Sequence, residues 1–213
     1  MQKLKFSILA IFLLSSGSLL AQRADLVISY ISSFKDLAIA EMQRTGVPAS
    51  ITLAQGIYES TAGTSDLVLA SNNHFGIKCK NTWTGESVKH DDDLRQECFR
   101  KYPSALDSYK DHSDFLRTGQ RYAFLFKIDP EDYRSWAYGL KQAGYATSPK
   151  YPMSLIKLIE DYNLNEYTLM ALQLPKTGLI GDSTNIFMPA DKLNTRTKAL
   201  VAPRTANNNL TNR

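Results

Sequence analysis

The chain is poor in the side chains that build metal centres. Its three histidines, His74, His90 and His112, stand at no ligand-like spacing, and two cysteines, Cys79 and Cys98, are too few for a thiolate cage. His90 beside Asp91, Asp92 and Asp93 reads as a polar loop rather than a cation site, so neither a metal nor a cofactor is expected. Long apolar runs are scarce too. After residue 21 no segment approaches the roughly 20 apolar residues of a membrane span. A basic excess is also missing where it would matter. The net charge of +4 comes from the two ends, because residues 22–170 hold 17 Lys and Arg against 19 Asp and Glu. A nucleic-acid partner needs a basic footprint in the folded part and is therefore excluded. No internal repeat is evident.

What is present begins with MQKLKFSILAIFLLSSGSLLAQ. Lys3 and Lys5 precede an apolar run broken by Ser15, Ser16, Gly17 and Ser18, and Ala21 offers a small residue for cleavage, the pattern of a secretory signal peptide. Residues 1–21 are thus expected to be a leader, and the remainder an exported monomer, periplasmic, wall-associated or secreted, with no stable membrane insertion. Export permits a disulfide, and Cys79 and Cys98 are expected to pair around a short polar loop.

Helical spacing of Leu26, Ile28, Ile31, Phe34, Leu37, Ala38 and Met42 predicts a first helix over 25–42, ended by Gly46. Pro48 opens a second, whose apolar face of Ile51, Ala54, Ile57 and Tyr58 runs to Glu59 before Gly63 stops it. Residues 72–102 are polar and turn-rich with scattered β-formers, which suits a small hairpin lobe. Three more helices have readable starts at Ser104, at Asp129 before Pro130, and at Ser148 before Pro149, with Gly144 ending the middle one. Beyond about Met170 the pattern fails, and residues 171–213 read as a disordered basic tail. Within it LPKTG (Leu174 to Gly178) lacks the hydrophobic span of a wall-sorting signal and is a chance match. Residues 22–170 remain as one catalytic domain.

Glu59 is the residue with chemical interest. An acid in the last turn of an apolar-faced helix is partly desolvated, which raises its pKa and keeps a proton on it for use as a general acid. The small residues of TAGTS beside it leave room for a bulky substrate. A single carboxylate is weak evidence alone, because solvated structural glutamates are common.

The neighbouring stretches add to it. ESTAGTS, NNHFGIK, HDDD, FRKYPS and GYATSPKY, together and in this order over roughly residues 26–165, resemble the peptidoglycan-cleaving glucosaminidases of glycoside hydrolase family 73. The resemblance implies an α+β, lysozyme-like fold, mainly a helical lobe facing a small β-hairpin lobe across a groove. It implies cleavage of the β-1,4 bond between N-acetylglucosamine and N-acetylmuramic acid in peptidoglycan glycan strands. Glu59 would be the general acid, with Asp92 or Asp93 of the hairpin as second carboxylate, Asp91 in the same run, and Glu86 and Glu97 as outsiders. Alternatively the substrate's own acetamido oxygen assists, held by Tyr145. Asn73, Phe75, Trp83 and Tyr151 are expected to contact the glycan, Trp83 through its flat face, whereas Trp136 has core spacing. Two rivals stay open at this stage: a muramidase or lytic transglycosylase on the same scaffold, and a non-catalytic glycan-binding module.

Overall fold

The computed structural model describes residues 2–80, 83–92 and 94–174 of the chain, with side chains from residue 21 onward. Seven α-helices, one 3-10 helix and one two-stranded sheet make up these residues. Helix α1 runs Gln2–Thr45, so the leader-like segment and the first helix of the domain are continuous, with no proline or cap between them. The buried face of α1 is Val27, Tyr30, Ile31, Ala38 and Met42. Leu26 and Ile28, expected on that face, are exposed: they flank the i, i+3, i+4 stripe, and Tyr30 takes the inward position.

Helix α2 (Ala49–Glu59) is the axis of the helical lobe. Every residue from Ala49 to Ile57 is buried, and α1, α5 (Tyr133–Gln142), α6 (Tyr151–Asp161) and α7 (Asn165–Gln173) pack around it. The helix is buried on all sides, its polar Ser50, Thr52 and Gln55 included, and only its last turn, at Tyr58 and Glu59, reaches an opening. Gly56 permits this packing. A Cβ there would meet the Tyr30 hydroxyl at 2.4 Å and the Tyr109 hydroxyl at 3.3 Å. Gly56→Ala is therefore expected to lose about 1–2 kcal/mol, overpacking outweighing the gain in helix propensity. Urea unfolding would measure it, and an unchanged midpoint would refute the close approach.

The short helix α3 (Asp66–Ser71), capped by Ser65, leads into the β-lobe. Strands β1 (Ser87–His90) and β2 (Glu97–Arg100) pair antiparallel, Val88 opposite Phe99 and Lys89 opposite Cys98. The segment 77–79 lies along the other edge of β2, through Arg100 N–H to Ile77 O at 3.0 Å and Cys79 N–H to Cys98 O at 2.8 Å. The expected disulfide Cys79–Cys98 clamps this edge. Helix α4 (Ala105–Thr118), capped by Ser104, and a 3-10 helix (Gln120–Lys127) return the chain to the helical lobe. Trp136 is core, edge-on to Phe126. Among the described residues no helix is long and apolar enough to cross a membrane. Asp93 and the tail beyond Leu174 lie outside the described residues, and the expected onset of that tail at 171 falls within α7.

Candidate active site

Between the lobes lies a cleft of about 370 Å³. Glu59 enters it from the end of α2, and the backbone just beyond is unusual. Thr61, Ala62 and Gly63 all have left-handed φ, at 51°, 52° and 80°. Such a run costs energy at the two non-glycine positions. Ser60 holds it: its hydroxyl donates to Gly56 O at 2.5 Å and accepts from Gly63 N–H at 2.8 Å, while Ala62 N–H reaches Ile57 O at 2.8 Å. The chain thus turns away at once, leaving the carboxyl at the cleft wall.

That carboxyl is held near neutrality. Burial pushes its pKa up, the Tyr151 hydroxyl that hydrogen-bonds it pulls down, and the negative charge of Asp92 pushes up again, to a value of about 7. The negative end of the α2 dipole acts in the same upward direction. Glu59 therefore keeps its proton to far higher pH than a solvated glutamate and titrates near pH 7.

Asp92 comes from the hairpin turn and lines the same cleft. It pairs with Lys78 Nζ at 3.0 Å, and Lys78 also holds Glu97 at 2.9 Å. Asp91 is occupied elsewhere, accepting from Gln96 N–H at 2.7 Å and Gln96 Nε2 at 3.1 Å to close the turn. Glu86 pairs with Lys101 and lies outside the cleft. Because the Asp92 charge raises the Glu59 pKa, Asp92→Asn is expected to move the alkaline limb of any Glu59-dependent activity to lower pH. A pH profile reads this, and an unmoved limb would mean that the two carboxyls do not interact.

Tyr145 reaches the cleft because Gly144, at φ 74°, reverses the chain after α5 and lets Tyr145 N–H bond Leu140 O at 3.0 Å. Its ring stacks on Tyr151 with centroids 5.9 Å apart, and its hydroxyl makes a long 3.4 Å bond to Phe75 O. Phe75 also lines the cleft. Tyr151 is buried, and its hydroxyl serves the acid rather than open space.

Two expected glycan contacts stand elsewhere. Asn73 is buried, its amide donating to Ile77 O and Arg100 O and accepting from Ile77 N–H, all at 2.9–3.0 Å. It ties the entry of the β-lobe to β2 with both its N–H groups and does not line the cleft. Trp83 lies in a separate cavity with Tyr102 and Lys110. Its Nε1–H bonds Glu86 O at 3.0 Å, and the Arg100 guanidinium covers its ring at 4.6 Å.

The sequence reading missed several groups on the cleft wall. Lys80 and Arg121 both lie over the Phe115 ring, at 4.7 and 5.9 Å. It also missed Gln55, one helical turn before Glu59 and buried. A polar residue at that spacing on an apolar helix was the available signal. Among the described residues no group of three or more His, Cys, Asp or Glu is placed to hold a metal ion.

A helical lobe and a strand lobe that bring a carboxyl of raised pKa and a second carboxylate to one cleft supply the pair of groups used in glycoside hydrolysis. The chain belongs to the glucosaminidase family: the family model described as mannosyl-glycoprotein endo-beta-N-acetylglucosaminidase matches residues 35–164. Exo-glucosaminidase LytG of Bacillus subtilis is 31% identical over 150 residues, which are 65% of this chain and 52% of that protein. Among solved structures, the catalytic domain of the autolysin Auto from Listeria monocytogenes superposes with a TM-score of 0.57 at 29% identity, covering 67% of this chain and 87% of that one. A peptidoglycan hydrolase from Sphingomonas sp. A1 gives 0.58 at 28%, covering 71% and 99%. The α+β, lysozyme-like class is thereby established. The chain spans about half the length of LytG and less of other curated relatives.

Proposed function

We propose that this protein is a glycoside hydrolase that cuts the β-1,4 bond between N-acetylglucosamine and N-acetylmuramic acid in peptidoglycan, outside the cytoplasm. The observation that carries the reading is Glu59, a carboxyl with a pKa raised to about 7 at the wall of a cleft large enough for sugar rings. Glu59 donates its proton to the glycosidic oxygen as the bond breaks. Asp92, lining the same cleft, offsets the positive charge that develops on the sugar carbon or orients the incoming water. Tyr145, whose hydroxyl makes a long bond to Phe75 O and no other among the described residues, is suited to hold the acetamido group. The leader-like opening and the Cys79–Cys98 bridge support export.

Digestion of purified sacculi followed by mass spectrometry tests the bond chosen. Products with N-acetylglucosamine at the reducing end are expected. N-acetylmuramic acid there would identify a muramidase, an anhydro-muramic end a lytic transglycosylase, and binding without products a glycan-binding module.

A further inference from the structure

Behind Tyr151 the hydrogen bonding continues into the core, away from the cleft. The Tyr151 hydroxyl lies 2.9 Å from Gln55 Nε2, and Gln55 Oε1 lies 3.2 Å from His112 Nε2. Gln55, His112 and Tyr151 are all buried, and they come from α2, α4 and α6. The polarity of this row follows from the orientation of the Gln55 amide. Gln55 Nε2 donates to the Tyr151 oxygen, which leaves the hydroxyl proton for Glu59. Gln55 Oε1 accepts, so His112 must present N–H at Nε2 and leave Nδ1 bare. His112 Nδ1 is buried without a partner, as that tautomer requires. Burial pushes the His112 pKa down to about 3, so the ring is neutral. It lies flat against Phe75, centroids 3.8 Å apart, and Phe75 lines the cleft. Every proton in the row thus points toward Glu59.

Packing alone gives no reason for the row. On α2, Gln55 sits among Ile51, Leu53, Ala54 and Ile57, where an apolar side chain would avoid burying an amide. An unpaired imidazole nitrogen in the core adds to that cost. We infer that His112 and Gln55 are positioning residues that fix the Tyr151 hydroxyl as a donor to Glu59. The inference rests on Glu59 being the general acid. When the Glu59 proton passes to the leaving oxygen, the new carboxylate receives a charge-assisted bond from Tyr151, strengthened by the amide and imidazole behind it, while the tyrosine keeps its own proton.

The other charged or titratable groups around the cleft are Tyr58 beside Glu59 on α2 and edge-on to Tyr151, Asp92 from the hairpin turn, Lys78 and Lys80 from the segment before it, Arg121 and Tyr122 from the 3-10 helix, and Tyr145 ahead of α6. None of them belongs to the row. Gln55→Met keeps side-chain length without a donor, and His112→Phe keeps the stack on Phe75 without an N–H. In each, the alkaline limb of the kcat profile is expected to rise by about half a pH unit, with kcat several-fold lower and KM little changed. A purely structural role would lower the melting temperature and leave the limb in place, and that result would overturn the inference. Glu59→Gln, assayed in parallel, keeps the two readings apart. Retained activity there would place the acid elsewhere and remove the row's purpose, whereas an inactive Glu59→Gln with unmoved limbs would refute the row alone. The unmutated protein supplies a check that does not depend on variants folding. Nitrogen-15 NMR of labelled histidine is expected to show neutral His112 protonated at Nε2 from about pH 5 to 9. An imidazolium, or the Nδ1–H form, would overturn the proposal.

Discussion

Glu59→Gln is expected to lower glycan cleavage by roughly 10²–10⁴-fold while making the protein more stable at alkaline pH. Both effects come from the same burial. The amide keeps the shape of the acid and can accept from Tyr151, but it has no proton to transfer. In the native protein the Glu59 pKa is raised from 4.5 to about 7, so the folded state holds this proton more tightly than the unfolded chain does. Below the unfolded value both states are protonated and the group is neutral toward folding. As pH rises from 4.5 to 7 the unfolded chain ionises first, and the folded state loses stability until both are charged. The full loss is about 2–3 kcal/mol, since each tenfold change in proton affinity is worth about 1.4 kcal/mol and part of the group meets solvent. Glutamine carries no such penalty. The stability gap between variant and native protein should therefore be small at acidic pH and widen toward pH 8, as read by denaturant unfolding across that range. Activity of the native protein should fall as pH rises through about 7, where the acid loses its proton. A stability gap that stays flat with pH would show that the carboxyl is not held in its protonated form, and the proposed mechanism would go with it.

The acid was legible in the sequence, but its support was not, and the difference is one of range. Glu59 stands at the end of a periodic apolar stretch, beside a run of small residues, and both signals are local. The row behind it depends on contacts 57 and 96 residues apart in the chain, between His112 and Gln55 and between Gln55 and Tyr151, which no window on the sequence brings together. Asn73 was misplaced for the same reason: its amide serves Arg100 O, 27 residues on, so a side chain suited to reading sugar hydroxyls serves the backbone instead.

Helix starts show a finer version of this limit. Ser104 caps α4 where expected, accepting from Asp107 N–H. Asp129, however, closes a turn by accepting from Glu131 N–H, and Asp132, three residues later, is the true cap of α5. Ser148 likewise accepts from Lys150 N–H, and α6 begins at Tyr151. For α5 the later of two aspartates within one turn is the cap, whereas α6 has Lys150 at its N-cap and no side-chain cap bond. The short α3 and the 3-10 helix carry too few residues for periodicity to register, and α7 is held by Thr168 and Ala171 against the lobe rather than by a pattern of its own.

Replacing Cys79 and Cys98 together by serine is expected to disable the cleft while leaving the helical lobe folded. The bridge spans 19 residues, and closing a loop of that size contributes about 3 kcal/mol by the chain-entropy relation. The other ties gather at the base of the hairpin, where Asn73 bonds Arg100 O and Arg100 pairs with Asp111 of α4 at 2.7 Å, whereas β1 and β2 have four residues each and two-stranded sheets are marginal in isolation. Phe99 and Ile77 are its buried apolar side chains, whereas the helical lobe buries most of the core around α2. The lost stability should therefore appear as local opening of the β-lobe rather than as one global transition. Amide hydrogen exchange should accelerate at residues 87–90 and 97–100 and stay slow along α2. Asp92 and Lys78 both belong to the clamped region, so their positions relative to Glu59 would blur, and misplacement of about 1 Å can cost 10²-fold in rate. A drop in kcat/KM of about ten-fold or more is expected on that basis. Treating the native protein with reductant should reproduce the loss, whereas the double variant should be insensitive to it. If the variant kept full activity with unchanged exchange in the hairpin, the lobe would be rigid without its clamp, and Asp92 would be held in place by the Lys78 pairing and the strand register alone.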